Sequence, residues 1–214
     1  MKQRIVLLGP PASGKGTQAE LLTEKYHLPV TSPGAILREE RRAGTARGVE
    51  AEQLTSKGLL LPDELIVDLV RSWLAREDGQ FVFDGFPRTL GQAEALEGLL
   101  SERGTPLDAV IALEAEVATL QARVARRIMC VRCGRSFSVG LHVAHPTDPC
   151  PVCGGTLARR TDDTPEALQI RLIEYREKTE PLVDYYEQKG LLHRVNSSEQ
   201  PEVVFEAIRA ILEG

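Results

Sequence analysis

The sequence predicts an α/β fold, a parallel sheet flanked by helices on both faces and interrupted by a metal-stapled insertion. Three features point to it. Short apolar runs rich in strand formers recur along the chain, each ended by Gly, Asp or a polar turn. Segments of helical period separate them, which is the rhythm of right-handed βαβ crossovers. That rhythm fails between residues 129 and 158, where all four cysteines fall.

Residues 4–8, Arg-Ile-Val-Leu-Leu, are stopped by Gly9 and read as a strand buried on both faces. A helix is expected over residues 15–26 and a short strand over 29–31. Two small helices divided by Gly44 fill residues 34–56. Pro62 opens the next helix, in which Leu65, Ile66, Leu69, Val70, Trp73 and Leu74 repeat at helical spacing. Phe81-Val82-Phe83 is another buried strand, ended by Asp84-Gly85. Residues 89–102 read as helix, 109–113 as strand and 116–126 as helix. After the insertion, Thr164-Pro165-Glu166 is a helix start with a capping Thr and Pro in the first turn. The long helix that follows is interrupted near Pro181. Residues 192–195 form the last strand, and Val204, Ala207, Ile208, Ile211 and Leu212 mark one face of the final helix.

At 214 residues the chain fits one α/β domain, with room for a small inserted subdomain. Aromatic residues make up 5% of it, so the core should be aliphatic. A net charge of −5, and no basic stretch interleaved with aromatics, argue against nucleic acid as a partner. No apolar run approaches the ~20 residues of a membrane span, and the start lacks the pattern of a signal peptide. The expected compartment is the cytoplasm, with no membrane partner.

Gly9-Pro10-Pro11-Ala12-Ser13-Gly14-Lys15 fits G-x-x-x-x-G-K, directly after a strand and before a helix, the context the motif requires. Glycines at 9, 14 and 16 let backbone N–H groups converge on phosphate oxygens, and the helix N-terminus adds a favourable dipole. Lys15 is placed to reach the β- and γ-phosphates. The hydroxyl that usually follows the Lys and binds Mg²⁺ is replaced by Gly16, so that contact falls to Thr17 or passes through water. Asp84, ending a buried strand, can orient Mg²⁺ through its waters; its plainer role is a turn-forming or capping Asp.

Cys130-x-x-Cys133 and Cys150-x-x-Cys153, separated by 16 residues, match the spacing of a four-cysteine zinc site. Each pair grips a tetrahedral ion from one tight turn, and Gly134 and Gly154 follow the second Cys of each. Four thiolates fill the shell, so the site is structural. The rival readings are two disulfides or four free thiols; the spacing and the missing secretion signal favour metal. His142 and His145, between the pairs, are read as surface residues.

Gly9 to Gln18, read with Asp84-Gly85-Phe86-Pro87-Arg88-Thr89, resembles the two signatures of adenylate kinases. The pattern continues through Gln92, Arg123, Arg127, Arg160-Thr161-Asp162-Asp163 and Arg171, and covers essentially the whole chain. The resemblance implies a P-loop NTPase fold with a five-stranded parallel sheet, a small helical monophosphate-binding insertion and a zinc-knuckle lid. On that pattern the CORE comprises residues 1–31, 62–126 and 164–214, the monophosphate-binding domain 32–61 and the lid 127–163. The implied reaction is ATP + AMP = 2 ADP with Mg²⁺, in a monomer whose lid closes to exclude water.

By the same resemblance, ATP is held by Ala12, Ser13, Gly14, Lys15, Gly16 and Thr17, with Arg123, Arg127, Ser136, Phe137 and Gln200. AMP falls to Ser32, Pro33, Arg38 and Leu59, Leu60 and Leu61, then to Gly85, Phe86, Pro87, Arg88 and Gln92. Arg160 and Arg171 bridge toward the transferred phosphoryl group, and Lys15, Asp84, Arg88, Arg127, Arg160 and Arg171 form the catalytic set. Arginine suits the task because it stays charged and grips phosphate with a planar fork, while phosphoryl transfer depends on positioning and charge stabilisation. Any single Arg could equally be a solvated surface charge, which is how Arg126, Arg135 and Arg159 are read. Gln92 has the donor and acceptor to read the adenine of AMP, though by itself it is an ordinary helix-surface Gln. Asp162 and Asp163 are candidates for lid hinges or for ordering the lid arginines.

The chain departs from the family at Ser32-Pro33-Gly34-Ala35, where Pro33 replaces a Thr near the AMP base and Ala35 replaces a carboxylate. A kinase for UMP or CMP, or one using GTP, is the nearest alternative. A zinc-knuckle binding module would leave the phosphate loop unexplained, and a nucleotide switch would not need so many arginines.

Overall fold

The computed structural model describes residues 1–56, 61–77, 79–159 and 163–214, except for the side chains of 52–56. Strands β1 (Arg4–Leu8), β2 (Val30–Thr31), β3 (Phe81–Asp84), β4 (Ala109–Glu114) and, near the C-terminus, β8 (Leu192–Asn196) form a five-stranded sheet in the order β2-β3-β1-β4-β8. Every pairing in it is parallel. The three central strands carry Ile5, Val6, Leu7, Phe81, Val82, Phe83, Val110 and Ile111 at zero exposure, because helices cover both faces and leave no polar side.

One face is covered by α1 (Lys15–Tyr26) and α9 (Pro201–Glu213), which bury Leu22, Ile208 and Leu212 against Ile5, Leu7 and Ile111. The other is covered by α4 (Asp63–Leu74), α5 (Leu90–Glu102) and α8 (Pro181–Gln188), through Leu69, Trp73, Leu96, Leu100 and Leu182. Each such fully buried side chain contributes about 2 kcal/mol. The fully buried side chains of the first face are aliphatic, as composition suggests, with partly buried Tyr26 and Phe205 packed against them. The second gathers the scarce aromatics: the rings of Phe81 and Phe83 lie 4.7 Å apart, Phe83 and Phe86 5.4 Å, and Trp73 and Phe83 5.6 Å.

Two helices, α2 (Pro33–Arg42) and α3 (Ala46–Ser56), leave the sheet after β2. They pack closely at Gly48, where a Cβ would stand 2.5 Å from the Glu40 carbonyl carbon. Helix α6 (Val117–Arg126) packs on α7 (Pro165–Glu174) through Leu120, Val124, Leu168 and Leu172. The interruption expected at Pro181 is a π-helical turn, Tyr175–Thr179, in which the Glu180 N–H reaches back 2.8 Å to the Tyr175 carbonyl. Pro181 has no N–H to give, so the ladder widens before it and restarts.

Between α6 and α7 lies more order than the sequence suggests. Strands β5 (Arg127–Cys130), β6 (Ser136–Ser138) and β7 (Leu157–Ala158) form an antiparallel sheet in the order β6-β5-β7. Ile128, Cys130, Val143, Cys150 and Leu157 are buried beneath it. Strands of two to four residues are too short to carry a readable alternation, so the sequence shows only an insertion that breaks the βα rhythm.

Candidate active site and metal centre

The phosphate loop turns between the C-terminal edge of β1 and the start of α1. Gly9 has φ +146° and lies against β4, where a Cβ would meet the Leu113 carbonyl oxygen at 2.6 Å, so no other residue fits. Gly14, at φ +98°, caps α1. Ala12 occupies the left-handed region at φ +65° although it carries a Cβ. Ser13 is buried, and Thr17 is exposed on the first turn of α1.

Lys15 Nζ donates to the carbonyls of Gly9 at 2.7 Å and Pro10 at 2.9 Å. Burial pushes its pKa down to about 8; Asp84 opposes the shift, while Arg88, Arg171 and Arg127 add to it. These five groups, from the loop, β3, the turn after it, α7 and β5, therefore share one electrostatic neighbourhood. Asp84 aims its Oδ2 at the start of α1, 3.6 Å from where a Cβ on Gly16 would stand. A hard-cation site needs such oxygens, and the Asp84 carboxylate with the Thr17 hydroxyl fits Mg²⁺ chemistry.

The arginines divide by partner. Arg123 Nη1 donates to the carbonyls of Ala12 at 3.4 Å and Ser13 at 3.3 Å, while its Nη2 bonds the Ser197 carbonyl. It ties the phosphate loop to the segment between β8 and α9, and burial lowers its pKa. Arg127 faces Asp163 with two bonds, Nε to Oδ2 at 2.8 Å and Nη2 to Oδ1. Asp163 thus orders a lid arginine. Arg88 curls back to donate from Nε to the Gly85 carbonyl at 2.8 Å, over a glycine at φ +73°. Arg171 is half-buried in α7, and Arg38 is exposed in α2. Arg160 and Asp162 lie outside the described residues. Arg126 is exposed, Arg135 meets Glu24 of α1 at 3.6 Å, and Arg159 bonds the Ala125 carbonyl at 2.9 Å, in keeping with surface roles.

On the acceptor side, Ser32 caps α2 by accepting from the Ala35 N–H at 3.2 Å, and Pro33 takes the first helical position. Leu61 is half-buried, while Leu59 and Leu60 lie outside the described residues. Phe86 is wholly in the core, next to a cis Phe86–Pro87 bond. Ser136 and Phe137 lie on β6, and Gln200 is exposed at the N-cap of α9.

Gln92 is 2% exposed, which overturns the plainer reading of it as a helix-surface Gln. Its Oε1 accepts from the Arg88 N–H at 2.8 Å, and its Nε2 donates to Asp63 Oδ1 at 2.6 Å. Asp63, which no sequence motif marks, also accepts from the Thr89 hydroxyl at 2.6 Å. Its only signal was its place in the first turn of α4, where an acid suits the dipole of any helix.

The four cysteine sulfurs lie within 4.8 Å of one another. Cys130 and Cys153 are 3.5 Å apart at sulfur, and Cys133 and Cys150 3.7 Å. Thiolates about 2.3 Å from a central zinc stand roughly 3.8 Å apart, so the set fits that ion. Each pair sits on the same turn, with the Gly134 N–H on the Cys130 carbonyl at 2.9 Å and the Gly154 N–H on that of Cys150 at 2.8 Å. Gly155 was missed: a Cβ there would stand 3.0 Å from Cys130 Sγ and 2.8 Å from Arg132 Cβ. His142 accepts from the Ser138 N–H at 3.0 Å, and neither it nor His145 joins the cluster.

Among the described residues, no helix is long and apolar enough to cross a membrane. The family model described as adenylate kinase matches residues 7–191. The chain is 41% identical over 210 residues to the adenylate kinase of Methanosarcina acetivorans, covering 97% of each. It is 42% identical over 212 residues to that of Thermodesulfovibrio yellowstonii, covering 98% of this chain and 99% of the relative. The adenylate kinase of Caldicellulosiruptor bescii is 44% identical over 191 residues, 88% of this chain and 89% of its own.

Proposed function

Since the chain belongs to the adenylate kinase family, we infer that its phosphate loop and converging arginines divide the work of ATP + AMP = 2 ADP as follows. The chain is an adenylate kinase, and one observation carries the assignment of roles: Lys15 of the phosphate loop lies within reach of the charges of Asp84, Arg88, Arg127 and Arg171. Two nucleotides with five phosphates bring roughly six negative charges, which only such a cluster of cations can hold close together.

In this reading the backbone of residues 12–17 and Lys15 cradle the ATP phosphates, with Arg123 and Arg127 on the same nucleotide. Ser136, Phe137 and Gln200 flank its base and ribose. Arg38 and Arg88 hold the AMP phosphate, and Arg160 and Arg171 bridge to the group in transit. Ser32, Pro33, the backbone of residues 59–61 and 85–87, and Gln92 surround the AMP base. Asp84 and Thr17 hold Mg²⁺, which neutralises phosphate charge when bound. The sulfur spacing supports zinc as the lid's ion, supplying folding free energy to a segment with a small core of its own. Residues 1–31, 62–126 and 164–214 act as the CORE, 32–61 as the monophosphate-binding domain and 127–163 as the lid. The enzyme works as a cytoplasmic monomer.

A coupled assay of ADP formation from MgATP, with AMP, UMP, CMP and GMP offered in parallel, tests this. Strong preference for AMP is expected despite Pro33 and Ala35. Turnover with none of the four would overturn the reading.

A further inference from the structure

Asp63 and Gln92 come from different helices, yet the first dictates which way the amide of the second can point. A carboxylate only accepts hydrogen bonds and a backbone N–H only donates. Gln92 lies between one of each, with Asp63 Oδ1 at 2.6 Å and the Arg88 N–H at 2.8 Å. Its nitrogen must face Asp63 and its oxygen must face Arg88, so the network assigns the amide without ambiguity. Turning the amide over would set oxygen against carboxylate and N–H against N–H. Asp63 is itself fixed by the Thr89 hydroxyl at 2.6 Å, and Thr89 in turn caps α5 by accepting from the Gln92 N–H at 3.2 Å.

One amide hydrogen and one oxygen lone pair of Gln92 are left over from these contacts. An adenine edge offers a 6-amino donor beside the N1 acceptor. A 6-oxopurine offers the reverse, an oxygen acceptor beside an N1–H donor. A glutamine free to turn over would accept both. We propose that Asp63 is a specificity-determining positioning residue, whose acceptor-only carboxylate locks Gln92 in the sense that pairs with adenine and rejects 6-oxopurines. This rests on the reading of Gln92 as the residue that meets the AMP base.

Asp63→Asn tests it, because asparagine keeps the size but can present either a donor or an acceptor to Gln92. The measurement is kcat/KM for AMP against IMP, with a thermal melt to verify folding, alongside Gln92→Leu. The Asn variant is expected to lower the AMP-over-IMP ratio about tenfold, the effect of one charge-assisted hydrogen bond, through a fall in KM for IMP. Equal losses with both acceptors would mean mere structural support and overturn the proposal. An unchanged ratio in Asp63→Asn, with a lowered one in Gln92→Leu, would overturn the proposal alone. An unchanged ratio in both would overturn the base-reading role, and the proposal with it.

Discussion

Asp163 holds Arg127 with both carboxylate oxygens, and its own side chain is 1% exposed. The pair joins β5, the central strand of the cysteine-bearing sheet, to a residue two positions before α7. Arg127 keeps 19% of its side-chain surface.

Removing the carboxylate should therefore hurt more than losing one surface ion pair. Asp163→Ala leaves a largely buried guanidinium without its partner, which costs about 2–3 kcal/mol. Steady-state kinetics should show kcat/KM for ATP falling at least tenfold. A double-mutant cycle with Arg127→Ala should show strong coupling. Additive effects would separate the two residues.

The depressed pKa of Lys15 gives nucleotide binding a pH signature. Burial lowers it to about 8, and a bound phosphate would raise it again. Below pH 8 the lysine is already charged, so ATP affinity is flat. Above pH 8 binding must take up a proton, and affinity should fall up to tenfold per pH unit. Calorimetry in buffers of different ionisation enthalpy at pH 8.5 should register that uptake, and Lys15→Met should abolish it. For stability the sign is opposite to that of a paired lysine. The unfolded chain holds this proton more tightly between pH 8 and 10.5, so the penalty of burying Lys15 shrinks as pH rises through that window.

Metal removal should act on the lid first. Elemental analysis should find one zinc per chain, and chelation should raise amide exchange in residues 127–158 while the five-stranded sheet stays protected. Gly155→Ala should weaken metal retention at least tenfold, since its methyl would crowd Cys130 Sγ and Cys153 Sγ. Unchanged retention would show that the knuckle yields more easily than its packing implies.

Ala12 offers a gain rather than a loss. Left-handed backbone costs a residue with a Cβ about 1–2 kcal/mol, of which glycine's extra unfolded-state entropy returns about 0.5–1. Ala12→Gly should raise stability by up to about 1 kcal/mol in urea unfolding. A loss of that size would mean that the methyl contributes packing, consistent with its contact with the Leu120–Leu168 cluster.

What could be read in advance follows from how local each signal is. The strands of the main sheet are continuous apolar runs, and the phosphate loop and cysteine pairs are spelled within a few residues of chain. The bond of Asp163 to Arg127 could be expected only from the family resemblance, and the Gln92–Asp63 pair is a long-range match between polar residues that look like surface positions in the sequence. Gly155 was hidden for another reason: its neighbour Gly154 supplies the positive φ, and only three-dimensional crowding shows why a second glycine follows. The π-helical turn was legible as a break but not as a shape, because Pro181 announces a missing donor without saying how the ladder adjusts.

Lys15 and Arg123 both rest on carbonyls of the chain, Lys15 on Gly9 and Pro10, Arg123 on Ala12, Ser13 and Ser197. A cation on an open surface must shed its hydration shell each time an anion arrives. These two have exchanged much of that shell for peptide oxygens on folding, so phosphate replaces one set of oxygens with another. The dehydration penalty falls once, on the birth of the native state, and is not met again at every turnover.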